Sequence, residues 1–168
     1  MRKNAVKRCL ILSILSIGLT LSVFAREMPR FSLKNLDGST YKSEVDKGNS
    51  VILLEFWGAC CKARVSELKY LQELQEKYDD KNLKIYAINI DNARAGSRIK
   101  PVVKRYKFTF PVLLDPDQEV LRKFSPQKVK PYTVLIDSKG QIIKEIQGEN
   151  PGKESIIQKM IADILVSE

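Results

Sequence analysis

The residues with the most chemical potential lie together in one stretch, Glu55-Phe56-Trp57-Gly58-Ala59-Cys60-Cys61-Lys62-Ala63-Arg64. Upstream, Val51 to Phe56 is an apolar run broken only by Glu55, the pattern of a central strand covered on both faces. Downstream, Val65, Leu68, Leu71, Leu74 and Tyr78 recur at helical spacing with charges between them, so a helix is expected from Cys61 to Tyr78. This puts Cys61 at a helix N-terminus, where unpaired N–H groups and the helix dipole favour a thiolate. Arg64 follows three residues later on the same helical face, and Lys62 adds a second positive charge. A thiol placed there either is a nucleophile of lowered pKa or is inert. Glu55, buried on the strand, must be paired or protonated.

Composition narrows the chemistry. The chain has 168 residues, three cysteines and no histidine. The missing histidine removes Cys–His and Ser–His catalysis and the commonest zinc and copper ligand. Cys60 and Cys61 could offer two soft ligands to Cu(I), but no histidine or nearby methionine completes such a site. No metal and no cofactor is expected.

The first residues read as an export signal. Arg2, Lys3, Lys7 and Arg8 precede the apolar run Leu10–Phe24, and Val23-Phe24-Ala25 suits a signal peptidase. The domain reading is therefore a signal peptide over 1–25 and one domain over 26–168, located in the periplasm or another extracytoplasmic space. Retention as a membrane anchor is the alternative, although the run is short against the roughly 20 residues that a bilayer span needs. Four of the 29 basic residues and none of the 20 acidic ones lie in the signal, which brings the net charge from +9 to +5. With no interleaved basic and aromatic motif, nucleic acid is not an expected partner. An exported chain left with two adjacent cysteines has no disulfide framework and must rely on its core.

The remaining elements follow from periodicity and turn chemistry. Phe31–Leu33 and Tyr41–Ser43 flank Asn35-Leu36-Asp37-Gly38 and predict a hairpin. Leu83–Ile90 alternates as a strand, and Arg98–Lys107 predicts a helix if Pro101 lies in its first turn. Pro111–Leu114 predicts a short strand, and Asp115-Pro116-Asp117 starts a helix through Phe124. Tyr132–Ile136 and Gln141–Ile146 are strands about the turn Asp137-Ser138-Lys139-Gly140. A polar loop at Gly148–Gly152 precedes a final helix with the stripe Ile156, Ile157, Met160, Ile161, Ile164 and Leu165. The order implies an α/β domain: a central mixed sheet with helices on both faces and an N-terminal β-hairpin.

The segment Glu55–Arg64 resembles the active-site segment of the thioredoxin superfamily, in which Trp-Cys-x-x-Cys follows a buried strand. Lys130-Pro131-Tyr132-Thr133-Val134-Leu135-Ile136-Asp137-Ser138-Lys139-Gly140 resembles that superfamily's cis-proline strand and hairpin. With the export signal, the early hairpin and Phe110-Pro111-Val112-Leu113-Leu114-Asp115-Pro116, the chain is most similar to the exported TlpA/ResA-like branch. The resemblance implies a thioredoxin-like fold and thiol–disulfide exchange. Its implied partners are cysteine-containing exported proteins or apocytochrome-type substrates, with an external thiol as reductant.

Carried across by residue, Cys61 matches the attacking cysteine, Cys60 stands where the second tryptophan would be, and Arg64 replaces the resolving cysteine. Without a thiol at 64, the second step of a dithiol cycle has no nucleophile of its own. Adjacent Cα atoms are about 3.8 Å apart across a trans peptide, below the usual disulfide window of roughly 4.4–6.8 Å. A Cys60–Cys61 bridge would therefore be strained, and the simpler reading of Cys60 is a small packing residue. Glu55 has two readings: a proton carrier, as in many thioredoxins, or an ion-pair partner that reaches Arg64. Trp57 is expected to pack beside the active-site turn, with substrate contact as a secondary role. The resemblance also implies a cis Lys130–Pro131 bond that sets the Lys130 backbone against Cys61, with Tyr132 beyond it; a proline at a strand start is the plain alternative.

The candidate functions are three. A thiol–disulfide oxidoreductase-like protein would work through Cys61 alone, with Arg64, Glu55 and Pro131 in support. A catalytically inactive thioredoxin fold would bind an extended peptide beside Pro131, and the third candidate is a soft-metal thiol protein. Peroxidase chemistry is disfavoured, because no Pro-x-x-x-Thr-x-x-Cys pattern surrounds Cys61.

Overall fold

The computed structural model describes residues 26–59 and 62–167. The expected signal peptide at 1–25 lies outside the described residues, as do Cys60 and Cys61. The elements are β1 (Arg26–Glu27), β2 (Ser32–Asn35), β3 (Thr40–Lys42), β4 (Val51–Trp57), α1 (Lys62–Lys77), β5 (Leu83–Asn89), α2 (Gly96–Tyr106), β6 (Val112–Leu114), α3 (Glu119–Phe124), β7 (Tyr132–Ile136), β8 (Gln141–Gln147) and α4 (Lys153–Ser167). The strands form one mixed sheet in the order β1-β8-β7-β4-β5-β6-β2-β3. β4 pairs with β5 in parallel and with β7 antiparallel, so the strand that carries Glu55 is the centre of the sheet.

Period-two alternation along β4 divides the core. Val51, Leu53 and Trp57 face α1, α2 and α4, where they meet Leu68, Leu71, Ile99, Ile157 and Ile161. Ile52, Leu54 and Phe56 face the other way, into a layer with Phe31, Val120, Leu121, Phe124 and Tyr132. Helices therefore cover both faces, as the element order predicts. Among the described residues no helix is long and apolar enough to cross a membrane.

Three details differ from the sequence expectation. β1 was not expected; it is two residues long, too short to carry a pattern, and pairs with β8 at the opposite edge from the β2–β3 hairpin. That hairpin turns at Leu36–Ser39, where Gly38 takes φ 96°, a left-handed value that side chains disfavour. α2 starts two residues earlier than expected, so Pro101 sits in its second turn. The amide hydrogen that proline lacks would have reached Ser97, and both residues are exposed, which leaves the carbonyl to water.

The short helix α3 is held by a single buried acid. Gln118 before it adopts a left-handed conformation and makes no side-chain cap. Asp115 reaches over the loop instead, accepting from the backbone N–H of Leu121 at 2.9 Å and of Val120 at 3.3 Å. Replacing Asp115 with Ala leaves two buried donors unpaired, which we expect to cost about 1–3 kcal/mol. Urea denaturation should show a lower midpoint with an unchanged slope.

Candidate active site

Strand parity decides where Glu55 points. It lies between Leu53 and Trp57 on the face covered by α1 and α4, and it is 1% exposed. Its antiparallel partner in register is Thr133, whose hydroxyl donates to Glu55 Oε2 at 2.5 Å. The balancing cation comes from far along the chain. Lys153, the first residue of α4 and 5% exposed, donates from Nζ to Glu55 Oε1 at 3.1 Å and to Oε2 at 3.3 Å. The same ammonium reaches Glu67 Oε1 of α1 at 3.4 Å. Glu67 Oε2 is buried with no hydrogen-bond partner among the described residues.

Two carboxylates thus face one ammonium. Burial pushes the Glu55 carboxyl up to about 7; the Lys153 charge opposes that rise, and the Glu67 charge adds to it. Glu55 therefore holds a proton more readily than an ordinary carboxyl does.

The turn that leads into Cys60 is fixed by Asp91. Ala59 N–H donates to Asp91 Oδ2 at 2.6 Å, and Asn89 Nδ2 donates to the same oxygen at 3.2 Å. Asp91 N–H in turn donates to Asn89 Oδ1 at 3.1 Å, while Ile90 N–H donates to the Trp57 carbonyl at 2.9 Å. The end of β4 is anchored on β5 just before the cysteines.

The Lys130–Pro131 bond is cis, as the family resemblance implies. Pro131 O accepts from Gly148 N–H at 2.8 Å, which ties it to the loop before α4. Beside Pro131 is a groove of about 310 Å³, walled by Ser66 and Glu67 of α1 and by Glu149, Asn150, Pro151 and Glu154. Lys130 is exposed next to it.

Other expected site residues fall differently. Among the described residues the cation beside Glu55 is Lys153; the Arg64 side chain, the partner in one of the two sequence readings of Glu55, lies outside the described part. Lys62 and Arg64 lie in the first turn of α1, with side chains outside the described part. Trp57 and Tyr132, both candidates for substrate contact, are buried. Trp57 packs in the α1 layer, as its packing role requires. Tyr132 packs at a tilt against Phe56, and its hydroxyl donates to Glu145 with the Phe124 carbonyl nearby at 3.3 Å, so it faces away from the groove. Sequence reading missed Lys153, Glu67 and Asp91. Lys153 carried a faint signal: a lysine at a helix start opposes the dipole and calls for a nearby acid.

This arrangement, a buried central strand running into a pinned turn, a helix and a facing cis proline, defines a thioredoxin-like protein. Residues 24–145 match the AhpC/TSA family, and the chain belongs to it. Within that family it is a ResA-like member of the thioredoxin superfamily, with the fold of a thiol–disulfide oxidoreductase. It is 34% identical over 162 residues to thiol-disulfide oxidoreductase ResA of Bacillus cereus, covering 89% of this chain and 91% of the relative. It is 31% identical over 139 residues to thioredoxin-like protein YneN of Bacillus subtilis, covering 82% and 79%. Among solved structures, a thioredoxin-like protein from Porphyromonas gingivalis superposes with a TM-score of 0.69 at 25% identity, covering 83% of this chain and 92% of that one.

The Glu55 geometry has a direct consequence for stability. Its carboxyl titrates near 4.5 when unfolded and near 7 when folded. Between those values the folded state holds more protons, so stability falls as pH rises. The full span is worth about 3 kcal/mol. Urea unfolding of the wild type should weaken from pH 5 to pH 8, and Glu55→Gln should remove most of that slope.

Proposed function

We propose that the chain is an exported thiol–disulfide oxidoreductase of the ResA-like type that works through Cys61 as its single nucleophile. The observation that carries this reading is the placement of Cys61 in sequence. It follows a turn anchored by Asp91 and immediately precedes α1, in a domain whose cis Pro131 borders an open groove. Arg64, three residues on, supplies a permanent charge in the first helical turn that favours the thiolate.

The cycle follows from what the site contains. The Cys61 thiolate attacks a disulfide on an exported protein, forms a mixed disulfide and releases one thiol. With arginine at 64 there is no internal resolving thiol, so an external thiolate displaces the substrate sulfur and stays bound to Cys61. A second external thiolate then attacks that bond, restores the Cys61 thiolate and leaves as the oxidised external disulfide. An extended substrate segment would lie along the Lys130 backbone and Pro131. In this reading Cys60 has no chemical role, standing where the family has its second tryptophan, and Lys62 adds a second positive charge next to Cys61 in sequence. Export rests on residues 1–25, with cleavage after Ala25, so the mature protein would start at Arg26, the first residue of β1.

Two measurements test this reading. Alkylation of Cys61 followed against pH should give a midpoint at least about one unit below the ordinary thiol value of roughly 8.5. Partner trapping with wild type and Cys61→Ser should give adducts on non-reducing gels that vanish in the variant and on reduction. Partners retained equally by the serine variant, with no adducts, would make this a peptide-binding module instead. Insulin reduction should be slow without an added thiol.

A further inference from the structure

Arg94 to Lys107 holds six cations and no acid in fourteen residues. Of the 29 basic residues four lie in 1–25, so the rest of the chain has 25, against 20 acidic ones. Setting the six aside leaves 19 against 20, so this one segment carries the whole positive excess of the domain. It forms the 3₁₀ turn Ala93–Ala95 and then α2. Helical spacing keeps its charges out of the core. Ile99 is buried and Val102, Val103 and Tyr106 pack beside it, which turns Arg98, Lys100, Lys104 and Arg105 outward, all four exposed.

Neither the helix nor its neighbours balance this charge. The helix dipole favours cations in the last turn, which suits Lys104 and Arg105, but it opposes Arg98 in the first. Lys100 and Lys104, four residues apart, repel each other. Arg105 and Lys69 of α1 lie over the Tyr106 ring, 5.7 and 4.8 Å from its centre, so the basic face continues onto α1. Among the described residues none of the six cations forms an ion pair. Asp37 shares a groove with Lys100 and Lys104, but it accepts from the Asn35 amide and from the backbone and hydroxyl of Ser39.

The face also lacks what a protein partner grips. Protein interfaces centre on aromatic or aliphatic anchors and are poor in lysine. The large apolar side chains exposed among the described residues are Val45, Ile156 and Val166, none of them on α2. Beside Lys100 and Lys104 the surface opens instead into a groove of about 440 Å³ floored by Leu36, Val103, Phe110 and Val112. Flexible cations around an apolar recess match a surface on which fluid anionic headgroups overlie hydrocarbon. We propose that α2 is a membrane-docking face, on which Arg94, Arg98, Lys100, Lys104, Arg105 and Lys107 hold the domain against an anionic lipid bilayer. Each cation near such a surface adds about fivefold in affinity, and the attraction fades within a Debye length, about 8 Å at physiological salt. The groove beside Pro131 is walled by α1, α4 and the loop before α4, so docking through α2 leaves it uncovered.

Lysine footprinting of the full chain tests the face directly. Brief acetylation is compared on neutral phosphatidylcholine vesicles and on vesicles in which phosphatidylglycerol replaces about a third of that lipid. Modification of Lys100, Lys104 and Lys107 should fall at least about fivefold on the anionic vesicles. Lys123 of α3, on the opposite face of the sheet, should be unchanged. Salt at about 0.5 M should abolish the difference. The triple variant Lys100→Gln, Lys104→Gln, Arg105→Gln exchanges exposed cations for a neutral residue of similar helix propensity. Its ratio of anionic to neutral vesicle binding should drop at least about tenfold below wild type; residues 1–25 are common to both proteins, so their own lipid affinity cancels. Equal protection on both vesicles, protection spread evenly over α2 and Lys123, or an unchanged ratio in the variant would overturn the proposal. So would protection of α2 by polyglutamate with none by anionic vesicles, which would assign the face to an acidic protein.

Discussion

The ion pair between Glu55 and Lys153 is the constraint around which the site is built. A carboxylate at the centre of a sheet is stable only with a partner, and strand alternation gives Glu55 no route to water. The partner therefore has to come from the helix layer. Lys153 supplies it from the start of α4, so α4 must dock with its first turn over the second turn of α1. The loop Gly148–Gly152 is fixed by that docking at one end and by the Pro131 carbonyl at the other. The groove beside Pro131 inherits its shape from the same arrangement. A single buried charge thus links the centre of the sheet, the last helix and the surface on which a substrate would rest.

Much of this was legible in the sequence, for physical reasons. Val51–Trp57 and Leu83–Asn89 are buried on both faces, so their apolar runs mark them as central strands. The Asp-Gly turn and the Lys130–Pro131 dipeptide are local features whose geometry is set by a few neighbouring atoms. What escaped was what depends on distance along the chain. Lys153 looks like any solvent-facing lysine until α4 is placed against Glu55, 98 residues earlier. Asp91 sits in a polar stretch that reads as loop, and only the pairing of β4 with β5 brings it beneath Ala59.

Under the superfamily resemblance, the active-site segment departs from the Trp-Cys-x-x-Cys pattern at one chemically decisive position, Arg64. Replacing the resolving thiol with arginine removes an internal nucleophile and adds a fixed charge to the first turn of α1. The surrounding scaffold does not follow that change: the anchored turn, the cis proline and the buried acid are all present. Keeping an acid of raised pKa costs stability at neutral pH.

The path of residues 26–42 has a bearing on association between copies of the chain. β1 covers one border of the sheet and the β2–β3 hairpin covers the other, while Met28 and Phe31 between them pack into the α3-side layer. Without this belt, β8 with its seven residues and β6 would present open rows of N–H and C=O groups to other molecules. The outermost strands are only two and three residues long and carry Arg26, Glu27 and Lys42, features that discourage edge-to-edge association. Residues 26–42 therefore act as a built-in guard against aggregation, and their short, charged outer strands do this without any part of the sheet core being exposed.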